Sequence, residues 1–141
     1  MEPLNLDLAP PRAPRERLAG IVFTARLVDK LRASLPRGEL NGYMPMTGFS
    51  ALWAYYTEIN LTELRSVVMA SLTEQDVEAW IQERTVGIDR ERINGKMERF
   101  DSNRIPDEDR VRFNELYPVE LRERHPILFD LFEADDARLY A

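Results

Sequence analysis

"FTARLVDKLRASLP", residues 23–36, decides how this chain is read. Leu27, Leu31 and Leu35 recur every four residues with Val28 beside them, which is the apolar stripe of an α-helix. Thr24 is of the type that caps a helix start, and Pro36 and Gly38 stop the pattern. The same turns carry Arg26, Asp29 and Lys30, three and four positions apart, so the three charges share one face. Two readings of that face are open. It is a solvated surface with exposed salt bridges, or neighbouring chain folds over it. In the second case Arg15 and Arg17 join it, and the result is an anion-binding pocket or a buried ion network.

Working outward, residues 1–13 read as an extended strap. Pro3, Pro10 and Pro11 each remove a backbone donor and disfavour helix just before them, and Leu4, Leu6 and Leu8 alternate as if one side were buried. Pro14 is placed to open a short helical turn to Leu18, ended by Gly20. Residues 37–47 have no helical period. Asn41-Gly42 is a turn signal for a loop or a tiny hairpin, and Pro45 limits any strand there to an edge.

Beyond this loop the pattern is helical. Thr47 is placed to cap a segment with Phe49, Leu52, Trp53 and Tyr56 on its inner face, leaving Tyr55 outside. Asn60 with Glu63, and Thr73 with Asp76, have the spacing of capping boxes. Leu61, Leu64 and Val68 face inward after the first, and Val77, Trp80 and Ile81 after the second. A thinner stripe of Ile93, Met97 and Phe100 follows, weakened by Gly95. Further helices are expected from Pro106 or Asp107 to Tyr117, over Val119–Arg124, and from Pro126 through "PILFDLFEADD", whose apolar residues lie on nearly every side. Leu27, Leu31, Leu52, Trp53, Trp80 and Phe129 are the expected core. The expectation is a mostly α, single compact domain over 1–141, with about six or seven helices, the strap 1–13 and at most one tiny hairpin.

"PPRAPRERLAGIV", "ARLVDKLRA", "GYMPMTGFSAL", "VEAWI" and "LFDLFEADDARL" follow in an order that resembles a bacterial family known as domain of unknown function family 5069. The likeness runs from about residue 5 to residue 139. Its most specific part is Pro14-Arg15, Leu18 and Gly20, followed by Arg26, Asp29, Lys30 and Arg32. It implies a proline before the arginine of the helix, where this chain has Ala25. It also implies a small, soluble, largely helical bacterial protein, and no activity.

Composition narrows the chemistry. The 141 residues include no cysteine, which excludes disulfides, thiolate nucleophiles and thiolate-bound zinc. The net charge is −6, concentrated after residue 50, and this opposes nucleic-acid binding. No apolar run is long enough for a bilayer, and no secretory pattern opens the chain, so a cytoplasmic protein is expected. The single histidine, His125, precedes a proline and reads as a helix-flanking residue. "DSNRIPDEDRVR" begins like a calcium loop but puts Ile105 and Pro106 where a ligand and a glycine are needed. "GFSAL" lacks the second glycine of a nucleophile elbow, so Ser50 reads as an ordinary helix residue. Asp135-Asp136 reads as a solvated tail.

The ligand-binding candidates are therefore Arg15, Arg17, Arg26, Asp29 and Lys30, with Tyr43 as a pocket wall. No cofactor or metal is expected. The first expectation for function is a non-catalytic binding or interaction module for a protein or a small anionic ligand. The rival is a small enzyme with Asp29 as general base and Arg26 and Lys30 stabilising negative charge.

Overall fold

The computed structural model describes residues 1–141. Eight α-helices dominate: α1 (Thr24–Ala33), α2 (Phe49–Thr57), α3 (Leu61–Ala70), α4 (Glu74–Arg84), α5 (Arg90–Glu98), α6 (Asp107–Leu116), α7 (Val119–Arg124) and α8 (Leu128–Leu139). A 3-10 turn lies at Ser102–Arg104. The only sheet is a two-stranded antiparallel hairpin, β1 (Arg17–Leu18) and β2 (Ile21–Val22). The mostly α reading holds, with one or two more helices than expected. No helix is long and apolar enough to cross a membrane.

α1 runs through the middle. Nine of its ten residues are buried, so it packs on all sides rather than along one stripe. Leu27, Val28 and Leu31 are fully enclosed. Trp53 from α2 is also fully buried, and its indole N–H donates to the Thr24 hydroxyl at 2.9 Å. Thr24 is therefore a core acceptor and not a cap. The helix instead starts from Phe23, which holds a left-handed φ of 68° and donates its N–H to the Pro14 carbonyl at 2.7 Å. Phe23, Phe49, Phe129 and Phe132 form an aromatic cluster, with the Phe23 and Phe49 centroids 4.8 Å apart. α8 supplies two of those rings, which explains why its apolar residues spread around the helix. Leu52 and Trp80 are only partly buried, and Trp80 lies under the Arg84 guanidinium at 4.6 Å.

The hairpin is not where its turn signal stands. Asn41 and Gly42 do form a turn with positive φ, but the chain beside it makes only an isolated parallel bridge, Asn5 to Glu39. The hairpin uses Ala19-Gly20 instead, in the segment that reads as a helical turn. Both residues have positive φ, as a tight two-residue hairpin turn requires. Ala19 accepts this strain because its neighbours fix it. Its N–H donates to Glu78 at 2.9 Å, and its carbonyl accepts from Arg90 at 3.1 Å. Asn94, buried in α5, accepts from the Val22 N–H and donates to the Gly20 carbonyl, both at 2.9 Å. A Cβ on Gly20 would stand 3.1 Å from Arg90 Cδ and would sit at a φ of 75°, which a side chain strains, so glycine suits this turn.

The caps at Asn60 and Thr73 form as read, the second as a full capping box. Thr47 does not cap α2, which begins after Gly48 with no side-chain cap. In the N-terminal segment Leu6 is buried and Leu8 is exposed, because a turn from Asn5 to Leu8 interrupts the alternation.

Candidate functional site

The polar face of α1 is not solvated surface. Arg26, Asp29 and Lys30 are exposed by only 4%, 5% and 7%. Each has found partners from a different part of the chain.

Arg26 meets Asp136 of α8 in a two-pronged pair at 2.7 and 3.1 Å. The Tyr43 hydroxyl donates to the same carboxylate at 2.6 Å. Arg26 also donates to the Arg12 carbonyl at 3.2 Å and lies between the rings of Tyr43 and Phe132. Burial pulls the guanidinium's pKa down, but hydrogen bonding and attraction to Asp136 outweigh it and the net shift is upward. Burial and the bond to Asp136 likewise hold the Tyr43 phenol well above its usual range. Asp136 is thus an internal partner and not part of a solvated tail.

Asp29 is gripped by Arg12 from the N-terminal segment. The Arg12 backbone N–H, Nε and Nη2 donate to it at 2.8, 3.1 and 3.0 Å. Arg12 also pairs with Glu74 at the start of α4. One arginine therefore joins the N-terminal segment, α1 and α4, and both carboxylates keep it protonated despite partial burial.

Lys30 forms no ion pair. Its Nζ donates to the Ser50 hydroxyl oxygen at 2.9 Å and to the Met44 carbonyl at 3.1 Å, and lies 4.9 Å from the Phe23 ring centroid. Burial, and then the nearby Arg26 charge, lower its pKa to about 7, against the opposing pull of Asp136. Ser50, in the first turn of α2, is fully buried.

Arg15 and Arg17 lie apart from this layer. Arg15 reaches Asp130 and Glu133 of α8 at 2.6 and 2.8 Å, and Arg17 reaches Glu91 of α5 at 2.9 Å. All of these groups are partly open to water. Of the six residues read from the sequence, the structure brings together Arg26, Asp29, Lys30 and Tyr43 and leaves Arg15 and Arg17 outside. Sequence reasoning missed Arg12, Ser50, Glu74 and Asp136. Arg12 follows Pro10-Pro11, and that position in a strap was the available signal. Asp136 had none, because an Asp-Asp pair near a helix end reads the same buried or exposed.

No buried side-chain donor or acceptor is left without a partner, so the layer is internally satisfied. Its carboxylates and guanidiniums bond one another. No three His, Cys, Asp or Glu side chains come together as a metal site would require.

Comparison with protein families gives one match. The chain belongs to the domain of unknown function (DUF5069) family, whose model covers residues 8–138. No curated protein matches it.

Proposed function

We propose that this chain is a non-catalytic binding module for a small anionic ligand or a protein, acting as one folding unit over residues 1–141. The observation that carries this reading is the state of Asp29. A general base needs a free lone pair facing a cleft. Asp29 instead accepts three bonds from Arg12 in a filled interface. Arg26 is spent in the same way on Asp136, so neither side chain is disposed to meet a substrate. In this reading Arg26, Asp29, Lys30 and Tyr43 set the shape of the module, and ligands meet its outer surface.

One observation favours a second reading. Lys30, brought near neutrality, hydrogen-bonds a serine hydroxyl, as the base of a Ser-Lys pair does. Against it, Ser50 has no exposed surface.

Two experiments separate the readings. Titration calorimetry of the full chain with phosphate, sulfate, acetate and citrate should give saturable binding of at least one anion. Treatment with a fluorophosphonate should leave Ser50 unlabelled. Covalent labelling lost in Lys30→Met, with no anion bound, reverses the conclusion.

A further inference from the structure

Some arginines of this chain are ion-paired across the fold and some are not. Arg12, Arg15, Arg17, Arg26 and Arg84 each reach a carboxylate on another part of the chain. Arg110 of α6 and Arg122 of α7 pair with none, as is also true of the half-buried Arg32, Arg65 and Arg90, but these two alone line a common hollow. They are held by neutral groups instead. Arg110 Nη2 donates to the Ser102 and Ile105 carbonyls at 2.8 and 3.3 Å. Arg122 donates from Nε to the Tyr117 carbonyl and from Nη1 to Asn114 Oδ1, both at 2.9 Å. Each guanidinium is thereby held in place without a carboxylate partner.

Both line one hollow of about 280 Å³, together with Ser102, Asn103, Phe113 and Glu123. Arg110 Nε and Nη1 and Arg122 Nη2 are not used within the protein. Nor are the Ser102 hydroxyl and the Asn103 side-chain amide, whose backbone groups alone are engaged. Glu123 also lines the hollow and makes no salt bridge with either arginine. A fixed pair of cations with several unspent donors in a concavity is what an oxyanion requires. The donors outnumber what the two oxygens of a carboxylate accept, and suit the three terminal oxygens of a phosphate group. The hollow lies just under the range of about 300–1,000 Å³ usual for drug-sized ligands, so the ligand is small.

We propose that the hollow bounded by Ser102, Asn103, Arg110 and Arg122 binds the phosphate group of a small molecule. This deepens the anionic-ligand reading above and rests on it. The test is titration of the full chain with inorganic phosphate, with acetate and citrate as controls. It is followed by calorimetry and by amide and arginine side-chain NMR. Saturable one-to-one binding is expected, at least about tenfold tighter for phosphate than for acetate, with shifts at Asn103 and at Arg110 Nε. Arg122→Gln and Asn103→Ala should each weaken it, the first by about tenfold or more. Asn103→Ala removes a side chain that bonds nothing in the protein, so its effect is not one of misfolding. Arg92→Gln, on exposed α5 surface, should change nothing. Phosphate binding untouched by Arg122→Gln and Asn103→Ala overturns the site and leaves the anionic-ligand reading standing. Saturable citrate binding without phosphate binding overturns the phosphate assignment. No binding of any anion overturns both.

Discussion

Two sets of charges lie a few residues apart in this chain and end in opposite surroundings. Arg26, Asp29 and Lys30 on α1 are enclosed, and each is tied to a distant segment. Arg15 and Arg17, leading into the hairpin, make comparable ion pairs but stay 43% and 45% exposed. The difference is dielectric. In water an ion pair replaces good hydration with a similar attraction and contributes about 1 kcal/mol or less. In the interior each partner has already lost its hydration, so removing one strands the other. The buried layer therefore reports on whether the N-terminal segment, α1, α4 and α8 are correctly assembled, and the outer pairs do not.

The largest expected effect is at Asp136. Asp136→Ala leaves Arg26 and the Tyr43 hydroxyl without their acceptor, and should cost about 3–5 kcal/mol in a urea titration. A midpoint near that of the wild type would mean that water reaches this pair.

Lys30 gives a sharper contrast because it is buried without a carboxylate. Its folded pKa of about 7 lies below the ordinary 10.5. Between these values the unfolded chain holds the proton that the folded chain has released, so stability rises with pH. Relative to Lys30→Met, the wild type should gain roughly 2–3 kcal/mol between pH 7 and pH 9, and nothing between pH 5 and pH 6. Parallel curves for the two proteins across pH 7–9 would show that Lys30 stays charged.

Asp29→Ala should cost less than Asp136→Ala, about 1–3 kcal/mol, because Arg12 is one-third exposed and keeps Glu74. Amide exchange should rise at Arg12, whose N–H donates to Asp29, and at the neighbouring Ala13. Unchanged exchange there would mean that the other contacts of the N-terminal segment hold it without Asp29. The smallest effect is at Arg15. Arg15→Ala should shift stability by about 1 kcal/mol or less, and high salt should erase the difference.

The helices were legible because their signals are local. The four-residue leucine spacing of α1, its stop before Pro36 and the Asn60 and Thr73 caps act within a turn or two. The DUF5069 resemblance was legible for the same reason, in short motifs kept in order. What failed depended on partners far along the chain. The Ala19-Gly20 hairpin exists because Glu78, Arg90 and Asn94 fix it, and no local rule favours alanine at positive φ. At the candidate site, the sequence showed that three charges share a face and left open what covers it. Arg12 approaches from 17 residues upstream and Asp136 from 110 downstream. Spacing along one helix carries no trace of either.

The central claim is that Arg26 and Asp29 of α1 hold the fold by pairing with distant segments in a water-poor layer. A double-mutant cycle on Arg26 and Asp136 tests it most directly. Arg26→Met and Asp136→Leu should each cost about 3–5 kcal/mol, since each leaves one buried charge alone. The double variant replaces the pair with apolar side chains and should cost much less than the sum, with a coupling of about 2 kcal/mol or more. Costs that add to within about 0.5 kcal/mol would contradict the account and return this face to the ordinary surface that its sequence also allowed.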